Sequence, residues 1–179
     1  MSIVAELLAN NERYAAGFAH GELPRPPRLP LAIVTCLDGR INPLAILGLG
    51  IGDANVIRNA GGRAAEALRS LVVSQHLLAT REIIVMHHTD CGSRSFSAEQ
   101  IRQRVADNLG PDAGTQAGAI DFLSLPDLDD SLRADVELLR ASPLLFPETI
   151  VTGLIYDVHT GRLRRADGWG KTSRFLCHE

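Results

Sequence analysis

The sequence predicts an α/β fold, a mostly parallel central sheet flanked by helices (α/β/α) and preceded by an N-terminal helical arm. Three observations predict it. Short apolar runs rich in β-branched residues, "LAIVTC" (31–36) and "REIIVMHH" (81–88), read as buried parallel strands. Segments with apolar residues at helical spacing alternate with such runs, and that alternation winds a chain into a parallel sheet. At 179 residues the chain fits one domain with a sizeable core.

Each element follows in order. Residues 3–18, "IVAELLANNERYAAGF", read as an amphipathic helix with Ile3, Leu7, Tyr14 and Phe18 among its apolar positions. "GELPRPPRLP" (21–30) carries four prolines in ten residues and reads as an extended arm or linker, so residues 1–30 stand apart as arm and linker. The body is expected over 31–166. It opens with the strand 31–36, then "NPLAILGLGIG", a short helix ending in glycines, then "ANVIRNAGG" (54–62), a strand entering a glycine turn. The spacing of Leu68, Leu71, Val72 and Leu78 predicts a helix over 63–80, before the strand 81–88. A further helix is expected over 96–109, a turn at "GPDAGTQAGA", and a helix within 124–142 capped by Asp129, Asp130 or Ser131. "TIVTGLIYDVHTGRLRRA" (149–166) reads as a strand, a turn at "HTG" and a short returning strand. Residues 167–179 read as a loose C-terminal tail.

Composition narrows the function classes. Hydrophobic residues make up 45% and charged ones 22%, and the formal net charge is −3. With a pI near 6.1 there is no electrostatic case for a nucleic acid or an anionic membrane as partner. No apolar run approaches the roughly 20 residues of a membrane helix. The N-terminus has two acids in its first dozen residues and no basic stretch, so a cytoplasmic protein without a signal peptide is expected. Three cysteines, Cys36, Cys91 and Cys177, cannot all pair within one chain, which favours metal binding or reactivity over a disulfide scaffold.

The chemistry gathers at two strand ends. "LAIVTC" ends in Cys36, and "REIIVMHH" runs into "HHTDCG", which holds His88 and Cys91. Ligands in an open parallel sheet collect outside the carboxyl ends of strands, so both strands deliver metal-type side chains to one edge. Two thiolates and one imidazole suit Zn2+, and three protein ligands leave the fourth tetrahedral position for water, as in catalytic sites. A closed structural site would need a fourth ligand, which Cys177 or His178 could supply. Strand periodicity places His87 and His88 on opposite faces without selecting the ligand; the His-x-x-Cys spacing favours His88, leaving His87 as a polar strand-end residue or a proton relay. In "CLDGR", Cys36, Asp38 and Arg40 alternate, so an extended chain would put them on one side. Asp38 could then accept a hydrogen bond from water at the metal, with Arg40 holding its carboxylate by a charge-assisted pair. "GLGIG" (48–52) is a weak dinucleotide-loop match, because it precedes a strand instead of following one.

"CLDGR" followed about fifty residues later by "HHTDCG", with "VIRNAGG" between them, resembles the β-class carbonic anhydrases, whose patterns are Cys-x-Asp-x-Arg, Arg-Asn-Ala-Gly and His-x-x-Cys. The likeness covers roughly residues 1–165 and looks like the compact prokaryotic branch, which also includes carbonyl sulfide and carbon disulfide hydrolases. It implies zinc on Cys36, His88 and Cys91, with Asp38 and Arg40 as the catalytic dyad. It also implies hydration of carbon dioxide to bicarbonate, and a homodimer or larger homo-oligomer with the N-terminal helix on the partner. Hydrolysis of carbonyl sulfide or carbon disulfide (COS/CS2) at the same zinc is the alternative. Asn59, Gly61 and Gly92 are expected to shape the substrate pocket. Gly39 stands where relatives often carry Ser or Ala.

Overall fold

The computed structural model describes residues 2–166. The element order is α1 (Val4–Ala16), β1 (Leu31–Cys36), α2 (Pro43–Ile46), β2 (Asn55–Asn59), α3 (Ala64–Leu78), β3 (Glu82–His88), α4 (Ala98–Leu109), α5 (Pro111–Ala117), α6 (Leu128–Arg140), β4 (Ile150–Tyr156) and β5 (Leu163–Arg165). The strands form one sheet in the order β2-β1-β3-β4-β5. Only the β4–β5 pairing, across the turn at "HTG", is antiparallel. The strands and the helices α1, α3, α4 and α6 thus lie where periodicity places them.

Alternation along the strands builds two cores. Ala32 and Val34 of β1, Ile83 and Val85 of β3, and Val151 and Ile155 of β4 pack against Ala64, Ala67 and Leu71 of α3 and against Leu132, Val136 and Leu139 of α6. On the other face, Met86 joins Cys36, Ile41, Cys91 and Leu125, with Ile84, Leu154 and Tyr156 at the margin. This second, smaller cluster contains both strand-end cysteines.

Two expectations need correction. "GPDAGTQAGA" is not a turn; it holds α5, with Pro111 at the start, where a missing N–H costs nothing. Gly114 belongs there because a Cβ would sit 2.6 Å from Ala106 Cβ, so glycine lets α5 lie close on α4. The cap of α6 is Asp127, which accepts from the N–H of Asp130 at 2.8 Å, and neither Asp129, Asp130 nor Ser131 fills that place. Asp129 instead pairs with Arg164. Helix α4 begins at a reciprocal capping box between Ser97 and Gln100.

Helix α1 buries no residue, and Ile3, Val4, Leu7, Leu8, Tyr14 and Phe18 are all exposed. Among the described residues no helix is long and apolar enough to cross a membrane. Cys177, His178 and Trp169 lie outside the described residues.

Candidate metal centre

β1 lies between β2 and β3, although the chain passes from β1 to β2 and only then to β3. The strand order therefore reverses around β1, and the crevice expected at such a point opens at the carboxyl ends of β1 and β3. Cys36 ends β1, His88 ends β3, and Cys91 follows after a two-residue turn. Their ligand atoms lie within 4.8 Å of one another, and all three residues are buried. No other such group of three occurs among the described residues.

The turn between His88 and Cys91 is tight because Asp90 takes a left-handed conformation, φ 52°, which Asp tolerates better than most non-glycine residues. The His88 ring is 1% exposed, and its Nδ1–H donates to the Thr89 carbonyl at 2.9 Å. That bond leaves Nε2 as the unprotonated nitrogen, and Nε2 has no hydrogen-bond partner though fully buried. A lone pair sealed from water without a partner costs free energy, and a metal ion at that spot would satisfy it. The sulfurs of Cys36 and Cys91 are 3.9 Å apart. Hydrogen bonding from Cys91 draws the Cys36 thiol well below its ordinary pKa against the opposing effect of burial, helped by His88 and by the backbone N–H groups of Asp38 and Gly61. The same contact with Cys36, together with burial, pushes Cys91 up, while the N–H and hydroxyl of Ser93 pull against the rise. Two sulfurs competing for one proton beside a bare imidazole nitrogen form a donor set that fits zinc.

Asp38 and Arg40 stand at the rim. Arg40 Nε donates to Asp38 Oδ1 at 3.0 Å and Nη2 to Oδ2 at 2.7 Å, a bidentate pair, and the Arg40 backbone N–H adds a third bond at 2.9 Å. These bonds hold the Asp38 carboxyl far below the usual carboxylate range, so it is ionised at any physiological pH. Its Oδ2 is 3.9 Å from His88 Nε2. Asp90, which the sequence reading passed over, holds the other side of the guanidinium: Nη1 donates to its Oδ2 at 2.7 Å and Nη2 to its carbonyl at 2.9 Å.

The Asn59 amide is used within its own turn, accepting from Arg63 N–H at 2.7 Å and donating to the Arg63 carbonyl at 2.9 Å. It thereby pins the left-handed glycines Gly61 (φ 77°) and Gly62 (φ 69°) against the end of β1. Gly92 has nothing within 4 Å of where its Cβ would lie. His87 points to the other face, where Nε2–H donates to Asp135 Oδ2 at 3.1 Å. Asp135 and Arg63 were not singled out from sequence, though a signal was present. An acid at 135 interrupts the buried stripe Leu128, Leu132, Val136, Leu139 of α6.

Residues 31–111 match the family model described as carbonic anhydrase. Over 166 residues the chain is 39% identical to beta-carbonic anhydrase 1 of Mycobacterium tuberculosis, covering 91% of this chain and 97% of that protein. The chain belongs to the β-carbonic anhydrase family. The carbonic anhydrase from Glaciozyma antarctica superposes with a TM-score of 0.89 at 45% identity, over 93% of this chain and 99% of that one. A carbon disulfide hydrolase from Acidianus is 31% identical over 172 residues, 84% of each chain. The β-carbonic anhydrase relatives thus include enzymes named for two different reactions.

Proposed function

We propose that the protein catalyses the reversible hydration of carbon dioxide to bicarbonate with zinc held by Cys36, His88 and Cys91. The observation that carries the reading is the pairing of that buried ligand set with a carboxylate fixed by arginine 3.9 Å from His88 Nε2. Zinc, when bound, supplies Lewis acidity that brings the pKa of water to about 7, so a nucleophile exists near neutrality. The chain's own residues do the rest. Asp38, held ionised, accepts a hydrogen bond from the attacking oxygen and orients it; Arg40 keeps the carboxylate from rotating away. Ile41, Met86 and Leu125 give the site an apolar flank suited to a small linear substrate. Gly61 supports Cys36 through its N–H, and Asn59 fixes the turn that presents it, while Gly92 leaves open space beside Cys91.

The 31% identity to a carbon disulfide hydrolase favours a second reading, hydrolysis of carbon disulfide or carbonyl sulfide by the same residues. The exposed apolar side chains of α1 support a homodimer or larger homo-oligomer in which a second copy covers the arm. Unpaired Cys36 and Cys91 suit the reducing cytoplasm.

The test is stopped-flow hydration of carbon dioxide between pH 6.5 and 9 on protein carrying one zinc per chain, beside sulfide release from carbon disulfide and carbonyl sulfide. Fast hydration that falls about 10²-fold or more in Asp38→Asn, with zinc retained, is expected. Hydration at the buffer rate together with sulfide release would replace this reading with the second.

A further inference from the structure

Behind the ligands, on the opposite face of β3, lies a buried ion pair that the reaction does not use. Arg63 Nε donates to Asp135 Oδ2 at 2.8 Å and Nη2 to Oδ1 at 3.3 Å; the side chains are 12% and 2% exposed. A buried pair is weak evidence for stability, because desolvation offsets its attraction. Its connections are more informative. Arg63 Nη1 also donates to the carbonyls of Leu123 and Ser124, at 2.8 and 3.0 Å. Leu123 is a non-glycine residue at φ 45°, a conformation that persists only where its surroundings impose it.

From this pair, contacts run to the support of each ligand. The segment fixed at Leu123 and Ser124 continues to Leu125, whose N–H donates to the Ser93 carbonyl at 3.0 Å, and Ser93 hydrogen-bonds the Cys91 sulfur. The Leu125 side chain packs where a Cβ on Gly61 would point, and the Gly61 N–H serves the Cys36 sulfur. Asp135 takes the Nε2–H of His87, the residue before His88, while the Nδ1 of His87 is buried with no partner, so this bond is the ring's polar anchor. One ion pair therefore meets the backing of Cys36, His88 and Cys91.

We propose that Arg63 and Asp135 form a positioning hub for the metal ligands, setting how tightly the three donors converge. The inference rests on the reading of Cys36, His88 and Cys91 as the metal site. It concerns geometry transmitted through packed contacts, and neither residue touches substrate.

The test uses the full chain loaded with cobalt(II), reading the visible absorption of the thiolate-ligated ion and its rate of release to a chromophoric chelator. Both are measured well below the unfolding temperature, beside the circular dichroism of the metal-free protein. In Arg63→Met/Asp135→Leu the pair is replaced by apolar side chains, which also takes the partner from His87 and from the Leu123 and Ser124 carbonyls and lowers stability, so the readings are taken only where the variant is folded. Release about tenfold faster and a shifted spectrum are expected, at the low end of what outer-shell partners contribute. Arg63→Lys keeps the charge but cannot serve Asp135 and two carbonyls with one fork, and it should release cobalt faster than wild type. It carries the test if the double variant fails to fold. Release and spectrum equal to wild type in a folded variant would overturn the hub, since a merely structural role changes stability and leaves both untouched. Wild-type protein that takes up no cobalt or zinc would overturn the site reading and the hub with it.

Discussion

Gly62→Ala gives a quantitative check on how the glycine turn after β2 is seated against β1, the strand that ends in Cys36. Gly62 has φ 69°, and a Cβ there would lie 2.9 Å from the Cys36 amide nitrogen and 2.9 Å from the Thr35 carbonyl carbon. Those are main-chain atoms of β1, which is clamped by β2 on one side and β3 on the other, so they cannot move aside. The left-handed conformation costs a residue with a Cβ about 1–2 kcal/mol, and overpacking against a fixed neighbour adds about 1–3 kcal/mol. A total of about 3 kcal/mol lowers Tm by about 6–12 °C in a chain of this size. Gly161 is the control: its φ is 71°, but nothing lies within 4 Å of its Cβ position, so only the backbone penalty applies. Gly161→Ala should therefore lower Tm by about 2–8 °C, the backbone share of the Gly62→Ala shift and no more. The assay is thermal unfolding of the metal-free proteins by circular dichroism at one fixed protein concentration. Equal shifts in the two variants would refute the claim that β1 and the glycine turn are in rigid contact.

Arg40→Ala removes the hydrogen bonds that hold the Asp38 carboxyl down. A carboxylate whose folded pKa is depressed contributes stability that is present above its unfolded value, about 4, and is lost as pH falls below it. The variant should therefore be less stable than wild type at pH 7 and approach it under strong acid, by urea unfolding at each pH; a gap independent of pH would sink the assignment. Deleting residues 1–18 removes the exposed Ile3, Leu7, Leu8 and Tyr14. Light scattering should then give a smaller assembly than the full chain forms, and an unchanged mass would show that α1 does not hold the oligomer.

Much of this was legible because the signals are local. Cys36, His88 and Cys91 could be placed together since each closes or follows a strand whose apolar run ends sharply, and parallel strands bring such ends to one edge. The Asp38–Arg40 pair spans two residues, so its bidentate geometry follows from the spacing in "CLDGR". What escaped depends on contacts between distant segments. Arg63 and Asp135 are 72 residues apart, and nothing in either neighbourhood names the other. The segment 110–119 reads as a turn from sequence, and Gly114 serves close packing of α5 on α4 that only the tertiary structure reveals.

Asp90, which the sequence reading passed over, closes the turn between His88 and Cys91, and its φ of 52° fits that place. The same turn turns its carbonyl and its carboxylate toward Arg40, so the guanidinium gives two N–H groups to Asp38 and two to Asp90. Four of the five N–H donors of an arginine are then engaged in a planar fork, an arrangement a lysine ammonium cannot reproduce. For the Asp38 carboxylate to swing toward the ligands, it must leave Arg40 and the Arg40 backbone N–H together, giving up three hydrogen bonds at once. The two bonds from Arg40 to Asp90 do not involve Asp38, so they hold the guanidinium independently of that carboxylate. The tight turn between His88 and Cys91 and the hold on Asp38 therefore meet in Asp90, the second of the two residues between those ligands.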